Sequence, residues 1–159
     1  VNVRIIAVGK LKEKYLKTGI DEYVKRLKGY TKVEIVEVAD ERIPDNPSEA
    51  DNVRVKDKEG ERVLARIGPR DHVILLDVGG KMLDSEEFSS YLETKMTGGE
   101  SSFTFVLGGS LGHSPAVYQR ADMKLSMSKM TFPHQLARLI LLEQIYRAFK
   151  IMRHETYHK

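Results

Sequence analysis

Apolar residues along this chain follow two alternating rhythms. VRIIAVG (3–9) is an apolar run of strand length closed by Gly9, which predicts a buried strand. Leu16, Ile20, Tyr23, Val24 and Leu27 then recur at helical spacing among Lys and Glu, with Gly29 as the stop. KVEIVEVA (32–39) sets Val33, Ile35, Val36 and Val38 among charged residues, as in a strand with one wet face. From Asp40 to Lys58 the chain turns polar around Pro44 and Pro47. Residues 39–58 therefore read as a mobile surface loop, leading into a helix centred on Val63, Leu64 and Ile67.

HVILLDVGG (72–80) is a second apolar strand, ended by a Gly79-Gly80 turn. Asp84 and Glu87 have the spacing of a capping box that opens a helix through Met96. SFTFVLGG (102–109) is the third strongly hydrophobic strand, and Ser114-Pro115 marks a further helix start. KLSMS (124–128) is a short strand. Pro133 opens the last helix, whose apolar positions run through Leu136, Leu139 to Leu142, Ile145, Tyr146, Phe149 and Met152. This order predicts an α/β fold in one domain spanning 1–159, with a mostly parallel sheet and helices on both faces. The run Leu139-Ile140-Leu141-Leu142 sweeps most of the way round its helix, wider than one core-facing stripe. Either the helix is sandwiched in its own domain or a second copy covers its far side. The second is the expectation here.

Composition narrows the picture. With 41% hydrophobic and 31% charged residues the chain is an ordinary globular domain. Absence of Cys excludes disulfides and thiolate metal sites, and no metal is expected. A net charge of +3 permits a polyanionic partner without demanding one. VNVRIIAVGK is too short to span a membrane and lacks a cleavage-type flank, so no membrane association is expected and the cytoplasm is the default.

The segment FVLGGSLGHSP (105–115) contains G-x-S-x-G, the turn that presents a nucleophilic serine in many hydrolases. Asp122 and His134 follow Ser110 in triad order. Against this, the 49 residues after Ser110 leave little room for the remaining hydrolase strands, and no HGGG-like oxyanion segment occurs. Phosphate loops fit no better, because His113 and Ser114 occupy the Gly and Lys places of one fingerprint and Leu107 the first Gly of the other. Glycines at the carboxyl end of a central parallel strand let a ligand approach the backbone, in the crevice where open α/β sheets bind ligands. The ends of ILLDVGG and SMSKMTFPH should reach the same rim. Loops rich in backbone and apolar groups suit an adenosine-type molecule without phosphates; glycines that merely make turns are the plainer alternative.

FVLGGSLG, LSMSKMTFPHQLARLILLEQIYRAFKI and the closing YHK together resemble the ribosomal RNA large-subunit methyltransferase H family, a single-domain branch of the SPOUT methyltransferases. The likeness extends to AVGKLK and YTKVEIVEV near the start. It implies a SPOUT-type fold with a trefoil knot in the C-terminal part. It further implies a homodimer that takes a methyl group from S-adenosyl-L-methionine and places it on N3 of a pseudouridine in helix 69 of 23S rRNA, within the ribosome. Carried onto this chain, the donor would be held by Leu76, Gly108 and the segment Met127, Ser128, Lys129, Met130, Thr131 and Phe132. Ser110 would then be a loop residue beside the donor.

A uracil N3–H must lose its proton, which gives a general base work near neutral pH. His134, in the first turn of the last helix, and His158, in the tail RHETYHK (153–159), are the candidates; a plain backbone hydrogen bond is the alternative for His134. Tyr157 stands beside His158, and Arg153 and Lys159 give the tail the mixture of cation and ring that suits RNA. Arg147 either reaches RNA or pairs with Glu143 four residues earlier. The family pattern has Gly in place of His154 and Arg in place of Lys159, so His154 is assigned no role. Each active site is expected to combine the donor loops of one subunit with the tail of the other.

Overall fold

The computed structural model describes residues 1–158. Five strands, β1 (Asn2–Val8), β2 (Lys32–Val38), β3 (His72–Met82), β4 (Ser102–Leu107) and β5 (Met123–Ser126), alternate with five helices. The helices are α1 (Lys14–Leu27), α2 (Glu49–Leu64), α3 (Ser85–Thr97), α4 (Pro115–Arg120) and α5 (His134–Met152). The strands form one sheet in the order β2-β1-β4-β3-β5, and every pairing is parallel. A crossover helix between parallel neighbours is what covers both faces of such a sheet.

Strand alternation divides the core in two. Val3 and Ile5 of β1 join Ile74, Phe103, Phe105 and Leu107 beneath α1, α3 and α5. Ile6 and Val8 join Val73, Leu75 and Val106 beneath α2 and α4. The central strands β1, β4 and the start of β3 are wet on neither face, which is why their sequences read as unbroken apolar runs. Each fully buried Phe or Ile there contributes about 1.5–3 kcal/mol by leaving water.

Three expectations need correction. The polar stretch 39–58 is loop only as far as Ser48, because α2 already begins at Glu49. Ser48 accepts a hydrogen bond from the Asp51 N–H and Asp51 returns one to the Ser48 N–H, so two orphan donors of the helix start are satisfied. α2 ends at Leu64, and Ile67 lies in the turn beyond it. Gly79-Gly80 does not end β3. The strand bulges after Leu76 and resumes pairing with β5 at Lys81 and Met82. A Cβ on Gly80 would stand 2.7 Å from the Lys124 carbonyl carbon, so glycine there admits the backbone of β5.

The third concerns α5. It lies between α1 and α3, with Leu141 and Leu142 in the core. Leu139 turns to α1, where a Cβ on Gly19 would meet it at 3.1 Å. Ile140 lines a groove with Phe88 and Phe132. The broad apolar sweep is thus used largely within the domain and by itself calls for no second copy.

Candidate active site

In a parallel sheet all carboxyl ends share one rim. The bulge of β3 after Leu76 and the ends of β4 and β5 meet there around a cavity of about 320 Å³, at the lower end of the usual range for small-molecule pockets. Leu76 and Asp77 come from β3, Gly108 to His113 from the loop after β4, and Met127, Ser128, Met130, Thr131 and Phe132 from the segment after β5. His134 and Ala137 close it from the first turn of α5. Of the expected donor residues, only Lys129 is off this wall, exposed in the same segment.

The glycine loop is shaped by its own protein. Gly109 to Gly112 is a tight turn closed by the Gly112 N–H on the Gly109 carbonyl at 3.1 Å, with Gly112 at φ +92°. A Cβ on Gly108 would stand 2.8 Å from the His113 ring, and one on Gly109 2.6 Å from the Glu59 carboxyl. What approaches these two glycines most closely is therefore the half-buried His113 ring and the buried Glu59 carboxyl. The His113 Nε2–H donates to the Leu76 carbonyl at 2.8 Å, tying the β3 end to the β4 loop. Burial holds the His113 pKa below its ordinary value, against the opposing pull of the Leu76 carbonyl and Asp77, so the ring is neutral near pH 7. In the third segment, Ser126 Oγ donates to the Ser128 carbonyl at 3.0 Å, and Ser128 Oγ accepts the Met130 N–H at 3.0 Å.

Among the described residues no Lys or Arg lines the cavity. Its one carboxylate, Asp77, accepts a hydrogen bond from the Tyr118 hydroxyl at 3.1 Å. Burial, and then that bond, raise the Tyr118 pKa, so it stays a donor. Such a lining repels polyphosphates and suits a neutral or cationic ligand with a flat apolar part. No group of three or more His, Asp or Glu side chains able to hold a metal occurs among the described residues.

Beyond α5 the tail folds back against the middle of the helix. Tyr157 donates to Glu143 at 2.9 Å and Arg147 pairs with the same carboxylate at 2.8 Å. The Arg147 guanidinium also lies 4.7 Å from the Tyr157 ring centroid and donates to His158 Nδ1 at 3.1 Å. The proton of His158 is therefore on Nε2, 3.4 Å from Glu86. Arg153 sits 4.5 Å from the Tyr30 ring centroid. Burial, with bonds to Tyr23 and Glu143, raises the Tyr157 pKa, so its hydroxyl stays protonated. Tyr157 and His158 are tied to Glu143 and Arg147, nine and thirteen positions along α5 from His134, so the cluster lies roughly 14–20 Å along the helix from the cavity wall in the same chain. Lys159 lies outside the described residues.

A Ser-Asp-His triad is not assembled. Ser110 is exposed, while Asp122 accepts the Val73 N–H at 2.8 Å at the start of β3, the opposite rim of the sheet. Nor is any helix among the described residues long and apolar enough to cross a membrane.

Residues 1–158 match the family described as predicted SPOUT methyltransferase. The chain belongs to the SPOUT methyltransferase family. Ribosomal RNA large subunit methyltransferase H of Bacillus pumilus is 58% identical to this SPOUT methyltransferase over 159 residues, the whole of both chains. The Clostridium perfringens protein named ribosomal RNA large subunit methyltransferase H 1 is 56% identical over the same span. Its place is thus within the methyltransferase H family. A solved structure of a probable methylase family protein from Haemophilus influenzae shares the fold, with a TM-score of 0.53 at 12% identity, covering 99% of this chain and 70% of that one.

Two residues of this SPOUT methyltransferase went unread in the sequence. His113 is bonded to Leu76, which lines the cavity, but a lone His 37 positions from that partner gives no pattern to find. Glu59 lies in a stretch read as loop and helix entry, yet it is buried against the glycine turn.

Proposed function

We propose that this SPOUT methyltransferase moves a methyl group from S-adenosyl-L-methionine to N3 of a pseudouridine in helix 69 of 23S rRNA, in the assembled ribosome. The observation that carries the reading is the convergence of the β3 bulge and the loops after β4 and β5 on one cavity whose lining, among the described residues, has no fixed positive charge. An adenosyl group would lie against Leu76, Gly108 and the Met127–Phe132 segment, and the cationic amino-acid end is compatible with Asp77. The RNA target follows the names of relatives 56–58% identical over the full chain. A knotted path through the carboxyl-terminal elements belongs to the same reading.

When bound, the donor supplies a methyl group on a sulfonium sulfur. The protein's part is alignment of the acceptor nitrogen in line with the breaking bond, together with removal of the N3 proton. His134 is the imidazole on the cavity wall of the same chain. Tyr157 and His158 are held against Glu143 and Arg147, roughly 14–20 Å along α5 from His134, which supports their acting on the cavity of a second subunit, with Arg147, Arg153 and Lys159 contacting RNA there. A homodimer is supported by apolar surface beside the cavity. Val78, Met82 and Met130 are exposed next to a groove of about 330 Å³ lined by Phe88, Phe132 and Ile140. With only +3 per chain, tight binding to naked RNA is not favoured, which suits a substrate presented by shape on a ribosome, where ribosomes work in the cytoplasm.

The test is transfer of labelled methyl from the donor to ribosomes that lack the modification, followed by mass mapping of 23S rRNA. Label on N3 of one helix 69 pseudouridine is expected. Label elsewhere, or none, refutes the reading.

A further inference from the structure

The rim of the sheet has a second half. Over the carboxyl ends of β1, β2 and β4 lies a chamber of about 750 Å³, which shares Gly109, Ser110 and His134 with the smaller cavity. Two side chains on its wall are buried, charged and incompletely partnered. Glu59, 5% exposed, accepts the Glu41 N–H at 2.9 Å through Oε2, while its Oε1 has no hydrogen-bond partner. Arg138, 2% exposed, pairs with Glu37 at 2.6 Å through Nη1, while its Nε–H has none. Lys10, Lys12 and Arg42 are exposed on the same lining. Both side chains line the chamber, and each carries a buried polar atom without a partner, an acceptor on Glu59 and a donor on Arg138; a ligand that offers the converse pair, an N–H beside a carbonyl, would satisfy both. The cations suit phosphate outside it.

We propose that this chamber receives the acceptor nucleotide, and that Glu59 Oε1 reads a ring N–H of its base while the Arg138 Nε–H reads a carbonyl. The inference rests on the proposed methyl transfer to pseudouridine N3. With N3 turned to the donor, the N–H left for recognition is N1–H, adjacent to the C2 carbonyl. Pseudouridine has that N–H; in uridine the glycosidic bond replaces it. Glu59 is accordingly a specificity residue, placed by its bond to the Glu41 N–H and by the glycine turn that packs against it.

Glu59→Gln gives a sharp test. The single amide oxygen must serve the Glu41 N–H, so the chamber is offered an NH2 donor where the base also presents a donor. Methyl transfer is measured on ribosomes carrying pseudouridine or uridine at the acceptor position, with donor affinity by calorimetry alongside. The unsubstituted protein is expected to favour pseudouridine. Glu59→Gln is expected to lose at least tenfold in kcat/KM on pseudouridine ribosomes only, collapsing the preference, with the donor Kd unchanged within twofold. A preference that survives in Glu59→Gln overturns the inference, as does an unsubstituted protein that methylates both ribosomes equally. If Glu59→Gln no longer binds the donor, Arg42→Glu on the exposed rim decides. A ribosome KM raised at least tenfold with the donor Kd intact supports the chamber, and an unchanged KM overturns it. No transfer by the unsubstituted protein to either ribosome refutes the functional reading itself, and the inference falls with it.

Discussion

Adding a single methyl group at Gly108 tests how the cavity proposed to hold the donor is built. In Gly108→Ala the new Cβ would lie 2.8 Å from His113 Cε1 and 2.9 Å from Nδ1, where unstrained carbon contact requires about 3.5 Å. The ring must give way by roughly 0.6 Å, yet it is half-buried, packed edge-on to Tyr118 and bonded to the Leu76 carbonyl. Overpacking of this kind costs about 1–3 kcal/mol, and a weakened buried hydrogen bond adds about 1 kcal/mol. For a domain of this size the sum of about 2–4 kcal/mol lowers Tm by roughly 5–15 °C. Because Leu76 and Gly108 both line the cavity, S-adenosylmethionine affinity by calorimetry should fall by at least about tenfold, which is 1.4 kcal/mol. Gly99→Ala is the control: its φ of +106° strains an alanine, but nothing stands within 4 Å and it is remote from the cavity, so donor affinity should not change. In a His113→Ala background the Gly108→Ala penalty should largely vanish, since the clashing ring is gone. Wild-type affinity and Tm in Gly108→Ala, or full additivity of the two changes, would refute the account.

Other outcomes follow from the same geometry. The fold favours neutral His113, so its stabilising contribution is complete above about pH 6.5 and is lost as pH falls below the unfolded value toward the depressed folded one; donor affinity should weaken only once pH falls through the depressed folded value, and His113→Gln should abolish the weakening. Ser110→Ala removes an exposed hydroxyl with no role in transfer, and kcat/KM on ribosomes should stay within roughly twofold. Mixing Gly108→Ala subunits with His158→Ala subunits should restore about a quarter of wild-type transfer, because random pairing makes half the dimers mixed and each has one intact site; no recovery would mean that the tail acts within its own chain. Initial rates on free 23S rRNA should be far below those on ribosomes, and equal rates would count against recognition of an assembled surface.

The sequence was most legible where one force dominates. The first parts of β1, β3 and β4 are buried on both faces, so their apolar runs could be read directly. The caps at Asp84 and Ser114 follow local hydrogen-bond rules that survive any tertiary setting. The start of α2 was missed because its box uses Asp51 rather than Glu or Gln, and because only Val55, Glu59, Gly60 and Val63 are buried along an otherwise polar helix. The passage of β3 through Gly79-Gly80 depends on the approach of Lys124, 44 positions away, and a glycine pair looks the same in a turn as in a bulge. For the site, three loops could be gathered on the rim from strand direction alone. The tie between His113 and Leu76 could not, being a contact between residues with no shared pattern.

A lining without Lys or Arg has a practical corollary. Dissolved electrolyte competes with ion pairs and with phosphate neutralisation, but hardly with stacking, backbone contacts and shape. Added potassium chloride should therefore strip the large polyanionic substrate while the small sulfonium compound stays seated. Ionic strength becomes a dial that uncouples the two reactants and allows each to be titrated on its own.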